Sequence, residues 1–162
     1  MVRAGVHGFW DIQGMAAKKL NLDNFLPYRL SIASNALSSR IAAEYENRFG
    51  LKIPEWRLMA VLGEGQPKTQ RELVQATRMD KVTVNRAAKA LADRNLIARQ
   101  AHEADGRSHH LELTETGRSL YDAIVPAALA SEAQLESNIT AGERATLMAI
   151  LAKLTAAAET YD

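Results

Sequence analysis

Lys81, Val82, Thr83, Asn85, Arg86 and Lys89 fall within nine consecutive residues of this 162-residue chain, and their types suit the edges and backbone of a nucleic acid. An asparagine amide offers a donor beside an acceptor, the pattern that pairs bidentately with adenine, and an arginine fork does the same with guanine or grips a phosphate. Val82 or the methyl of Thr83 matches a thymine methyl, and each good base contact discriminates by about 1–3 kcal/mol. Lys81 and Lys89 suit phosphates, which position a duplex without specifying its sequence. Arg99 is a further phosphate-type cation. Arg107, two residues after Asp105, is the kind of side chain that enters a narrow minor groove. The bland alternatives are a solvated helix face for the first group and a turn-stiffening ion pair for Asp105 with Arg107. What decides between them is the set of elements that carries these residues.

The carriers are readable from local signals. Thr69 with Glu72 three residues on is a capping box that opens a short helix through Leu73, Val74 and Ala76. A turn at residues 77–79 leads to Asp80, which caps a second helix with Val84, Ala87, Ala88 and Leu91 inward, ending near Asn95. Two short helices joined by a tight turn, the second one basic, form a helix-turn-helix. The period then changes: residues 96–100 read as a strand, residues 109–113 as its partner, and the Asp105–Gly106 pair between them as a hairpin turn. That hairpin is a wing.

Long helices flank this lobe. Asp23 is read as the cap of the first, whose stripe of Leu26, Leu30, Ala33, Leu37, Ile41, Tyr45 and Phe49 runs to Gly50. Pro54 suits the first turn of a second helix that closes at Gly63 and Gly65. Thr114 caps a long helix in which Pro126 marks a kink or break, and Thr140 with Glu143 opens the last helix, with Leu147, Ile150, Leu151, Leu154 and Ala158 at helical spacing. The expected organisation is an arm over 1–22, with Phe9 and Trp10 among glycines, a helix over 23–50, a winged helix-turn-helix lobe over 51–114 and two terminal helices over 115–162. The arm is either a disordered leader or a segment docking on the body or a partner subunit.

Composition sets the outer bounds. There is no cysteine, which excludes disulfides and thiolate zinc sites in this chain and fits a reducing cytoplasm. No apolar run is long enough to span a bilayer, and the N-terminal residues lack a signal-peptide layout. Between Lys68 and His110 nine lysines and arginines stand against five acids, whereas from Glu115 onward three stand against seven. A basic middle beside an acidic last third suits a DNA-reading lobe beside a lobe that does not touch DNA. His109 and His110, with His102, read as wing-surface histidines, so no metal site and no cofactor is expected. A Gly-rich phosphate loop, His-Glu-x-x-His and Gly-x-Ser-x-Gly are all missing, and no catalytic residues are assigned.

From Asp80 to Gly117 the chain resembles the MarR (multiple antibiotic resistance regulator) family. The resemblance lies in Asp80-Lys81-Val82-Thr83-Val84-Asn85-Arg86, Leu91, Leu96-Ile97-Ala98-Arg99, Asp105-Gly106-Arg107 and Leu111-Glu112-Leu113-Thr114-Glu115-Thr116-Gly117 in that order. It extends over about residues 23–160 through the layout of the long helices. Asn95 departs from the family's usual glycine, mildly, since asparagine tolerates the left-handed conformation.

The resemblance implies a mainly α fold with a small β-wing, and a homodimer joined through the first helix and the last two that binds double-stranded DNA at an inverted repeat. It implies an aspartate that braces the wing and an arginine that inserts, repression as the commoner mode, and release by a small anionic or phenolic effector held between the dimer helices and the DNA lobe. Candidate effector-binding residues are Phe25, Tyr28, Arg29 and Ile32 from the first helix and Trp56, Met59 and Ala60 from the second. Arg29 would anchor a carboxylate, its alternative being a surface ion pair. The competing readings are a ligand-independent winged-helix DNA-binding protein and a winged-helix protein-interaction module.

Overall fold

The computed structural model describes residues 19–102 and 105–160; the side chains of Glu44 and of residues 101–108 lie outside the description, as does the N-terminal arm through residue 18. Among the described residues the order is α1 (Leu26–Phe49), α2 (Ile53–Gly63), β1 (Lys68–Thr69), α3 (Gln70–Thr77), α4 (Lys81–Asp93), β2 (Ile97–His102), β3 (Asp105–Leu113), α5 (Glu115–Glu136) and α6 (Ala141–Glu159). The fold is mainly α with a small sheet. The chain divides into two compact units, residues 1–36 and 37–162.

In the first unit, Asp23 does not cap α1. It lies inside a short 3-10 turn, Leu22–Asn24, and its backbone N–H donates to Asn21 Oδ1 at 2.9 Å. Phe25 then takes an extended conformation and α1 opens at Leu26, with Pro27 in its first turn, where no intrahelical N–H is lost. The apolar residues Leu26 and Ile32 on this part of α1 are exposed.

The core of the second unit is built from α2, α3 and α4 with contributions from α1, the sheet and α5. Leu51, Leu58, Met59, Leu62, Leu73, Val84, Leu91, Leu111 and Ile124 are fully buried within it. The inward set on α4 is Val84, Ala87, Ala88 and Leu91, the spacing the sequence predicts. Gly117, in the first turn of α5, allows the close approach that seats this helix: a Cβ there would stand 1.9 Å from the carbonyl oxygen of Leu96.

The sheet has three antiparallel strands in the order β1-β3-β2, with Lys68 opposite Leu111 and Ile97 opposite Leu113. β1 is unforeseen in the sequence because two residues cannot display an alternating pattern. Its second residue, Thr69, is also the cap of α3. The expected turn shifts as well. Asp105–Gly106 begins β3 and a register irregularity falls between Ala101 and His102; residues 103–104 lie outside the described residues.

Candidate nucleic-acid interface

Three local devices hold α4, the second helix of the helix-turn-helix, in place. Upstream, the Thr69 hydroxyl accepts from the Glu72 N–H at 3.3 Å while Glu72 Oε2 accepts from the Thr69 N–H at 2.7 Å, fixing the start of α3. Arg78 then adopts a left-handed conformation at φ 55° and turns the chain toward α4. Asp80 closes the turn: its Oδ1 accepts from the Thr83 N–H at 2.8 Å and its Oδ2 from the Thr83 hydroxyl at 2.6 Å. These bonds from Thr83 hold the Asp80 carboxyl below the usual carboxylate range.

The far end of α4 closes with two paired bonds. The Leu96 N–H donates to Leu91 O at 2.9 Å and the Asn95 N–H to Ala92 O at 2.9 Å, with Asn95 left-handed at φ 54°. That is a glycine-type helix end with asparagine in the glycine's place. Leu91 and Leu96, which flank it, are both buried.

With Val84, Ala87, Ala88 and Leu91 facing inward, Lys81, Val82, Asn85, Arg86 and Lys89 are exposed. Val82 is 56% exposed, an apolar side chain held in solvent by the helix geometry. Thr83 is half-buried and its hydroxyl is spent on Asp80, so it has a methyl to offer and no free donor. Lys89 pairs with Asp93 at 2.9 Å, an exposed (i, i+4) pair. Arg86 shares a groove of about 330 Å³ with Lys52, Pro54 and Glu55 at the start of α2. Arg99 is exposed on β2 opposite Leu111. The side chains of Asp105 and Arg107 lie outside the described residues.

Three polar side chains missing from the sequence-derived set adjoin this face. Gln70, Arg71 and Gln75 of α3 line a groove of about 550 Å³ with Lys81. Helical periodicity assigns α3 one inward face, and only the packing against α4 shows that its outer face runs on from Lys81.

A third concavity lies between α1 and α2. It measures about 160 Å³ and is lined by Ser38, Ile41, Tyr45, Ile53, Trp56 and Arg57. Arg57 Nη2 donates to Ser38 Oγ at 3.3 Å. Trp56 stands between two tyrosines, 5.6 Å from the Tyr45 ring and 5.8 Å from that of Tyr121 on α5. Burial pushes the Tyr45 hydroxyl pKa up, opposed by the nearby Arg57 charge, so Tyr45 is a neutral O–H donor at physiological pH. Of the expected effector-binding residues, Trp56 lines this concavity, Ala60 is half-buried and Met59 is wholly buried. Phe25, Tyr28, Arg29 and Ile32 belong to the first unit, where all four are exposed. The cation at the concavity is Arg57, which spacing along the chain did not single out.

Among the described residues no group of three or more His, Asp or Glu side chains is placed to hold a metal, and no helix is long and apolar enough to cross a membrane.

Comparison with known proteins gives a consistent result. The sequence profile of the MarR family matches residues 49–108, the lobe from the end of α1 into the wing. The HTH-type transcriptional repressor NicR of Pseudomonas putida is 31% identical over 96 residues, a match spanning 59% of this chain and 61% of NicR. Among solved structures, a MarR/EmrR family transcriptional regulator from Acinetobacter sp. ADP1 superposes with a TM-score of 0.80 at 26% identity, covering 87% of this chain and 99% of that one. A MarR-family regulator from Listeria monocytogenes, solved in complex with a 26mer DNA, has a TM-score of 0.73 at 25% identity over 82% of this chain and 87% of its own.

Proposed function

We propose, from its similarity to MarR-family transcriptional regulators, that this chain is a cytoplasmic homodimeric repressor of that family that binds an inverted-repeat DNA operator and releases it on taking up a small aromatic acid or phenol. The observation that carries the DNA reading is the outer face of α4. Val82, Asn85 and Arg86 are held in solvent while the opposite face is locked in the core, on a helix whose two ends are fixed by backbone bonds. A major groove about 12 Å wide admits one such helix. Lys81, Lys89 and Arg99 are assigned to phosphates, and Arg107, from the family resemblance, to the minor groove at the wing.

One lobe alone buries little surface on DNA, and pairing two makes half-sites about one helical turn apart readable together. The surface for that pairing is apolar and unpartnered on the single chain: Leu147, Met148, Ile150 and Leu151 of α6 are each more than one-third exposed. A soluble chain that presents such a patch covers it with a partner, and we assign a second copy of itself. The NicR relative is a repressor, which supports the same mode here.

The concavity between α1 and α2 supports the effector reading. It has apolar and aromatic walls, a neutral tyrosine hydroxyl and one guanidinium, the furnishing that suits a planar carboxylate or phenolate. Arg57 takes the anchoring role, with Trp56 as the stacking wall.

Selection from random duplexes followed by sequencing tests the central claim. Enrichment of an inverted repeat by the intact protein, weakened for Arg107→Ala, is the expected result; no enrichment at low salt by folded protein overturns it. With the operator in hand, Arg57→Gln is expected to bind DNA as the unaltered protein does while losing the thermal shift produced by aromatic acids. An unaltered thermal shift in that variant removes Arg57 from the effector site.

A further inference from the structure

We propose that Arg94 is a positioning residue for DNA recognition, one that sets the angle of α4 by locking its C-terminal end to the C-terminal end of α1; this rests on the reading of α4 as the DNA-reading helix. Arg94 Nη1 donates to Gly50 O at 2.9 Å and Nη2 to Phe49 O at 2.8 Å. These carbonyls close α1, at the end where helical carbonyls lack intrahelical partners and the helix dipole is negative. A guanidinium is the side chain that meets both at once, because its two amino groups sit in a rigid planar fork.

Both ends of this tie are fixed by backbone. Gly50 turns out of α1 at φ +64°, with its own N–H donating to Glu46 O at 2.9 Å. Arg94 is the residue at which α4 ends, held by the paired bonds from Asn95 and Leu96. The fork therefore joins two defined backbone points across 44 and 45 residues of sequence. The lever is long. α4 has 13 residues and so a length of about 20 Å, and a tilt of about 5° at one end moves the other by about 1.7 Å. A displacement of that size spoils the bidentate geometry of Asn85 or Arg86 on a base edge.

Arg94 is also an exposed cation beside a DNA-reading helix, so a direct phosphate contact is the rival role. The two roles differ in salt dependence. Losing a phosphate contact lowers the slope of log affinity against log salt by about one, whereas losing a positioning contact leaves the slope as it was. Tilting α4 also costs specific contacts more than random ones, so the ratio of operator to random-duplex affinity falls.

The test measures operator and random-duplex affinity across a salt series for the intact dimer and for Arg94→Ala and Arg94→Lys, with denaturant unfolding of each to fix the folded fraction. The expected result is operator binding about tenfold weaker for Arg94→Ala, an unchanged salt slope, a reduced operator-to-random ratio, and Arg94→Lys in between because it keeps the charge and one bond. A slope lower by about one, or operator affinity equal to that of the intact protein, overturns the proposal. Where Arg94→Ala fails to fold, Arg94→Lys decides: binding indistinguishable from the intact protein shows that charge without the fork suffices, and the proposal falls. If the intact protein itself selects no duplex, the DNA reading fails and this proposal with it; if it selects one and the variants match it, only this proposal fails.

Discussion

Lys81 and Asn85 stand one turn apart on the same exposed face of α4, yet their losses are expected to differ in kind. Asn85→Ala removes a donor–acceptor pair matched to one base, so operator affinity should drop by about 1–3 kcal/mol and the preference at one position should relax. Lys81→Ala removes a phosphate contact, so all sequences should weaken alike and the salt slope should fall by about one. Competition binding against operators changed one base pair at a time separates the two outcomes; if both variants weaken every sequence equally, Asn85 is not a base-reading residue. Thr83 shows why residue type alone is an incomplete guide. Its hydroxyl is committed to Asp80, which leaves its methyl as the only part able to meet a base.

The elements around the helix-turn-helix were readable because their signals are local. Thr69, Asp80, Thr114 and Thr140 each act within three residues of themselves, and all four accept a backbone N–H as their caps require. Asn95, the one departure from the expected glycine, takes the left-handed conformation that glycine would. Asn95→Ala is therefore expected to cost about 1 kcal/mol in denaturant unfolding, and Asn95→Gly to cost nothing measurable. Gly117→Ala should cost more, about 1–3 kcal/mol, because the added methyl meets a backbone carbonyl that cannot step aside. A Gly117→Ala protein as stable as the original contradicts the close approach of α5 to Leu96. What the sequence hid is of the other kind. β1 is too short to carry a period, Arg94 reaches carbonyls more than forty residues away, and Arg57 meets Ser38 across 19 residues. Asp23 misled because Asn21, two residues earlier, offers a cap of the same chemistry. Long-range contacts leave no local pattern, and Arg57 at the concavity was missed for that reason.

At the scale of the whole molecule, charge and association bear on stability. Bonds from Thr69, Thr83 and Thr140 hold the carboxyls of Glu72, Asp80 and Glu143 below the usual carboxylate range. A carboxyl whose folded pKa is lowered adds stability above its unfolded pKa and loses it as pH falls through the folded value. Resistance to urea should therefore hold from neutral pH down to about 4.5 and decline below it, and a Thr140→Val protein should lose less of its stability over that acid range. An acid decline as steep in Thr140→Val as in the original excludes the Thr140 hydroxyl as a contributor. If α6 pairs two copies, Leu151→Glu should yield a monomer by sedimentation and lose high-affinity operator binding; a dimer that persists moves the interface elsewhere. The column of Tyr45, Trp56 and Tyr121 spans α1, α2 and α5, and Trp56 also walls the concavity beside Arg57. The chain has two tryptophans, Trp10 and Trp56, so Trp10→Phe leaves a single indole at the concavity. Its emission then becomes an unlabelled optical gauge: an aromatic guest that stacks there quenches it, and the protein reports its own occupancy in the cuvette.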